Sequence, residues 1–134
     1  KAADKYYYAV TDGLPAKKKG SLEDYLLRDG KTNLSKVVSP KTDGAKRAEL
    51  SYEVLEQNES NALVRIKLAT GRHHQIRVQM AHAGVPLVGD RKYNFKENMK
   101  QGNGQLALCS YKLAFVHPTT KKKLEFEIEN PFSL

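Results

Sequence analysis

At 134 residues the chain is long enough for about one domain with a sizeable core. Lys and Arg outnumber Asp and Glu by 23 to 15, a formal net charge of +8, which favours a polyanion such as nucleic acid as partner, the plainer reading being a soluble basic domain with solvated lysines. A single cysteine, Cys109, excludes an internal disulfide and points to a reducing cytoplasm, and no apolar run approaches the roughly 18 residues of a membrane span.

The chain opens without an initiator Met and without a leader, directly on a strand pattern, as a cut or processed piece of a longer protein would. Residues 5–11 (KYYYAVT) are aromatic and β-branched and predict a strand. Residues 12–21 are rich in Gly, Pro and Lys and predict a loop. SLEDYLL permits a helix or a strand; Ser21 and Asp24, spaced like a capping box, favour the helix. Turn residues then dominate, with a short strand expected at 36–39. Residues 48–57 alternate Leu50, Tyr52 and Val54 against polar neighbours, and residues 62–69 alternate Val64, Ile66 and Leu68 after the turn NESN, which predicts a hairpin. A second hairpin is expected near the end, LALCSYKLAFVH and LEFEIE joined through PTTKK. The lysine runs at 17–19 and 121–123 read as solvated turns.

Between the hairpins lies LATGRHHQIRVQMAHAGVPLVGDRKYN. Ile76, Met80 and Ala83 at i, i+4, i+7 predict a helix with an apolar stripe, Gly84 a stop, and Thr70-Gly71 the turn leading in. Arg72, His73 and His74 fall at the start of that helix, where free N–H groups and the helix dipole already carry positive charge. Cations placed there point either to a compensating anion, a phosphate or carboxylate, or simply to water. Metal binding is disfavoured: His74 and His82 stand eight residues apart, about 12 Å along a helix, and His73 and His74 would diverge by about 100°. Neither a nucleophile elbow, a P-loop nor a dinucleotide glycine motif is present, so no nucleotide cofactor and no hydrolase is supported, and Cys109 in a predicted apolar strand reads as a buried thiol.

The segment resembles the signature Thr-Gly-Arg-x-His-Gln-Ile-Arg, six residues, Gly-x-Pro-x-x-Gly-Asp-x-x-Tyr of the RluA-type pseudouridine synthases, matched at Thr70, Gly71, Arg72, His74, Gln75, Ile76, Arg77, Gly84, Pro86, Gly89, Asp90 and Tyr93. Lys5-x-Tyr7-x-Ala9 is similar to the family's Lys-x-Tyr-x-Ala strand, and LCSYKLAFVHP to its Leu-His-Ala-x-x-Leu-x-Phe-x-His-Pro strand, with Cys109 and Ser110 in place of His and Ala. The likeness runs from Lys5 to Pro131. It implies an α+β fold, a mixed, mainly antiparallel sheet with a few helices, of which residues 1–134 would be the C-terminal part of one catalytic domain. The family's Arg-Leu-Asp-x-x-Thr-Ser-Gly segment, which bears the nucleophilic aspartate, is not among these residues. The chain alone would then be inactive, and an exposed strand edge or apolar patch would mark where the rest docks.

The resemblance further implies cofactor-free isomerisation of uridine to pseudouridine in ribosomal or transfer RNA. Breaking the N1–C1′ bond calls for a carboxylate near C1′, and a carboxylate in a partly dry pocket needs a cation to stay ionised. By the likeness Arg77 is that cation; the plainer reading is a surface ion pair with some acidic side chain. Tyr7 would stack on the target base and assist its deprotonation, or be a half-buried strand tyrosine. Leu108 would line the base pocket, or be core. Arg72 and His74 would brace the helix or meet phosphates, and Lys5, Arg91 and Lys92 would contact phosphates. The alternative is a non-catalytic RNA-binding module on the same fold.

Overall fold

The computed structural model describes residues 4–98, 105–116, 123–127 and 132. Seven strands form one sheet: β1 (Asp4–Asp12), β2 (Lys19–Asp29), β3 (Leu34–Val38), β4 (Lys46–Gln57), β5 (Asn61–Leu68), β6 (Leu108–Val116) and β7 (Lys123–Glu127). Two helices, α1 (Gln75–His82) and α2 (Phe95–Asn98), lie between β5 and β6. The order across the sheet is β3-β2-β4-β5-β1-β6-β7, and every pairing is antiparallel, so the parallel component of the expected mixed sheet is absent among the described residues.

The central strands follow the period of two read from the sequence. Leu50, Val64 and Ile66 are fully buried beside Ala9, Ile76, Met80 and Leu87, with Tyr52, Val54 and Leu68 packed against them. Val10, Leu63 and Ala107 form a smaller cluster joined by Tyr8, Val88 and Phe132. Residues 85–88 run beside the end of β1, through Asp12 N–H to Pro86 C=O (2.7 Å) and Val88 N–H to Val10 C=O (2.9 Å). Two register shifts break the ladder. One leaves Leu55 of β4 unpaired and exposed; the other sets Tyr6 and Tyr7 of β1 opposite Lys112 and Ser110, so the extra residue lies on β6.

The expected helix at SLEDYLL is a strand. In β2 the inward positions are Gly20, Leu22, Asp24 and Leu26, a period of two hidden by the acid at Asp24. Asp24 is tolerated because Gln79 Nε2 of α1 donates to its Oδ2 at 3.0 Å. Ser21 and Asp24 do not cap a helix; they pair with Ser51 and Ala48 of β4.

Helix α1 is buried along Gln75, Ile76, Val78, Gln79 and Met80, whereas Ala83 is its exposed C-cap rather than part of the apolar stripe. Its end closes as expected: Gly84 (φ +90°) donates to Ala81 C=O and Val85 to Met80 C=O, the paired bonds of a Schellman motif. Gly71 does not supply the left-handed residue on the way in. That conformation belongs to His74 (φ 54°, ψ 25°), the N-cap, a residue type that tolerates the left-handed region better than most. The last strand pair is present, but the turn PTTKK and the first two residues of the lysine run at 121–123 lie outside the described residues.

Candidate active site

Three separate parts of the chain converge on one concavity of about 300 Å³, the lower end of the roughly 300–1,000 Å³ range of small-ligand pockets. Strand β1 supplies Tyr7 and the start of β6 supplies Leu108, with Leu106 just before it. The β5–α1 turn and the first turn of α1 supply Arg72, His74, Gln75, Ile76 and Arg77. One wall is therefore apolar and aromatic and the other cationic, which suits a flat heterocycle attached to an anionic backbone.

The turn into α1 is built by side chains reaching the backbone. Thr70 Oγ1 accepts from Glu49 N–H at 2.9 Å and donates to Gln75 Oε1 at 2.8 Å, and Arg72 N–H donates to the same oxygen at 2.9 Å. Gln75 Nε2 donates to Glu49 C=O (3.0 Å) and to Gln79 Oε1 (2.9 Å). A chain of buried amides thus runs from this turn through α1 to Asp24 of β2, and each amide is paired, as burial requires. The Arg72 guanidinium is held by Nε donating to Arg47 C=O at 2.8 Å.

Arg77 has a partner within the chain. Its Nε and Nη2 donate to Asp90 Oδ2 and Oδ1 at 2.9 and 2.8 Å, a bidentate fork. The Asp90 side chain is fully buried, and Oδ1 also accepts the N–H groups of Lys92 and Tyr93 at 3.1 Å each. The Arg77 side chain keeps 17% exposure, lies 5.2 Å from the centre of the Tyr93 ring, and has its pKa raised first by the bond to Asp90. The described residues pair Arg77 with an acid of this chain, but a buried one rather than a surface partner. The fork uses two of the five guanidinium N–H donors, so the group can still meet a second anion.

Tyr93 joins this pair to the histidines and to β3. Its hydroxyl accepts from Ser35 N–H at 3.0 Å and is hydrogen-bonded with His74 Nδ1 at 2.7 Å. Burial, then the charge of Arg77, holds His74 down to about 4, and burial lowers His73 in the same direction. Near neutrality the cationic character of the helix start therefore rests on Arg72 and Arg77. The two imidazoles do not diverge: neither is in the helix, their rings stack with centroids 3.8 Å apart, and His73 Nδ1 meets Ser35 Oγ at 2.9 Å.

Of the expected site residues, Tyr7, Arg72, His74, Arg77 and Leu108 share the pocket. Lys5 and Arg91 do not line it; both are exposed, Lys5 two residues from Tyr7 along β1 and Arg91 in the loop after Asp90. Cys109 is half buried, not buried. Asp90 and Tyr93 stand in the matched signature, but nothing in their spacing shows that one holds Arg77 and the other His74. Ser35, Gln79 and Leu106 carry no signal in the sequence at all.

The sequence profile of the RNA pseudouridylate synthase family matches residues 1–82, which include Tyr7 and Arg77. The chain is 39% identical over 131 residues to the uncharacterized RNA pseudouridine synthase YlyB of Bacillus subtilis (strain 168), covering 98% of this chain and 42% of that protein. It is 34% identical over 134 residues to ribosomal large subunit pseudouridine synthase D of Neisseria meningitidis, covering 93% of this chain and 35% of that one. The chain thus spans less than half the length of these relatives. Its fold superposes on human RNA pseudouridylate synthase domain containing 1 with a TM-score of 0.81 at 23% identity, over 98% of this chain and 56% of the other. With more than half of its length matched by the family profile, the chain belongs to the RNA pseudouridylate synthase family.

Proposed function

We propose that these residues form one wall of the active site of an enzyme that isomerises uridine to pseudouridine in RNA, acting in the cytoplasm on ribosomal or transfer RNA. The observation that carries this is the convergence of Tyr7, Arg77 and Leu108 from β1, α1 and β6 on one pocket. Tyr7 offers a ring to stack on uracil and a hydroxyl for proton traffic, and Leu108 and Leu106 exclude water from the base. The reaction needs a carboxylate at C1′. Asp90 is not that group: it is buried and saturated by Arg77 and two backbone donors. The nucleophile comes instead from a segment of the parent protein outside these residues, and Arg77, fixed by Asp90, presents its remaining donors to it. The name of the Neisseria relative favours large-subunit ribosomal RNA as the substrate, and the single thiol suits a reducing compartment.

The test is pseudouridine formation on ribosomal and transfer RNA transcripts by the full-length protein and by this chain alone. The full-length protein is expected to be active and the chain inert. Arg77→Ala should lower the full-length rate by about 10²-fold or more, as expected for loss of a preorganised charge at the reacting centre. Full activity of both Arg77→Ala and Tyr7→Phe would remove these residues from the reaction.

A further inference from the structure

We infer that Phe95 is a stacking platform for an unpaired base of the RNA, outside the pocket that takes the reacting uridine. The inference rests on the RNA reading above. Phe95 is 76% exposed, the most exposed of the large apolar side chains among the described residues. A lone exposed aromatic needs no explanation in itself. This one is held outward by its neighbours. Asn94, immediately before it, is buried and anchored through Nδ2 to Leu87 C=O and Asp12 Oδ2, both at 3.1 Å. Its side-chain Oδ1 accepts Lys96 N–H at 3.1 Å. One residue earlier, the Tyr93 hydroxyl is fixed between Ser35 and His74. The backbone before Phe95 is thus tied to the body of the fold through Asn94, which also holds Lys96 N–H just after it, so Phe95 sits on an anchored turn with its side chain in solvent.

Its surroundings are cationic. Arg91, Lys92 and Lys96 are exposed within the same short segment, 91–96, Lys96 at 3.8 Å from Asp12 Oδ1. An aromatic face flanked by cations is the arrangement that binds single-stranded nucleic acid, with the ring stacking on a base and the cations meeting phosphates. The segment follows directly on Asp90, which holds Arg77 of the pocket. A base stacked on Phe95 would belong to a nucleotide other than the target, and the platform would favour targets in unpaired regions.

The test uses this 134-residue chain, which contains no Trp, with an unstructured RNA of about 12 nucleotides and an abasic strand of the same length and charge. Phe95→Ala is expected to weaken binding of the base-bearing strand about tenfold or more and to leave the abasic strand unaffected. Phe95→Trp installs a sole indole, whose fluorescence should be quenched by the base-bearing strand only. Lys92→Ala should weaken both strands alike, as a phosphate contact does. If Phe95→Ala binds both strands as the parent does, the platform is refuted while RNA binding stands. If the parent chain binds neither strand at low salt, RNA recognition by these residues fails and the platform fails with it. An indole that responds to anionic lipid vesicles but not to RNA would assign Phe95 to a membrane surface instead and overturn the inference.

Discussion

Asp90 and Arg77 illustrate how a buried charge is made tolerable and useful at once. The carboxylate has no exposure and is matched by a guanidinium fork and two backbone N–H groups. Replacing it by Asn keeps the shape but turns an NH₂ group on the guanidinium or the backbone donors. Asp90→Asn is therefore expected to cost about 3 kcal/mol, the lower end for breaking a buried pair because Arg77 retains some solvent. Urea unfolding of the two proteins checks it; a change below about 0.5 kcal/mol, the surface-mutation range, would mean that the pair contributes nothing. His74 supplies a second prediction. Its folded value, about 4, lies below the ordinary value of 6.5, so between these values the unfolded chain binds the extra proton. This contribution is fully present above about pH 6.5 and is lost as pH falls from there toward 4. The loss should be on the order of 2 kcal/mol between pH 7.5 and 4.5, and His74→Asn should flatten the profile of urea midpoint against pH.

At the scale of elements, two glycines of the same signature have opposite structural standing. Gly89 has φ +79°, and a Cβ there would lie 1.8 Å from Gln105 C=O, a clash with backbone that no rotamer relieves. Gly71 has open space around its Cα and no positive φ. Gly89→Ala should destabilise by about 3 kcal/mol or more, whereas Gly71→Ala should stay within about 0.5 kcal/mol. Thermal unfolding separates them. Loss of activity in a full-length Gly71→Ala protein of unchanged stability would show that something outside these residues approaches that Cα closely. The same scale explains the helix expected at SLEDYLL. Local pattern saw an acid where a strand's inward face should be apolar. The acid is paired by Gln79, 55 residues away, and pairing with β4 outweighs a weak cap.

For the whole molecule, the cations have two destinations. Part is neutralised on the sheet, where Arg65 and Lys19 pair with Glu53, and Arg47 with Glu23 and Glu49. These are exposed pairs, worth little individually. The remainder leaves the net charge of +8 for a polyanion. Affinity for RNA should therefore fall steeply as salt rises from about 50 to 200 mM, with a log–log slope of about −0.7 for each phosphate neutralised on a single strand. Filter binding across that range measures it; a flat dependence would mean that phosphates are not the partner.

The sequence alone determined what depends on short-range regularity: the alternating strands of the central hairpin, the stop of α1 at Gly84, the antiparallel tendency, and the signature and its two flanking motifs that bring Tyr7, Arg72, His74, Arg77 and Leu108 under suspicion. Tertiary structure alone decided which of these residues share a pocket, that Arg77 is clasped by Asp90, that Tyr93 links His74 to Ser35 of β3, and that Asp24 is a strand residue. The reason is range. Helix and strand periods repeat every few residues and can be read locally. The partner of a buried charge or hydroxyl, here 13 residues away for Arg77 and 58 for Tyr93, is fixed only when the sheet brings distant segments together and burial leaves no polar group without a mate.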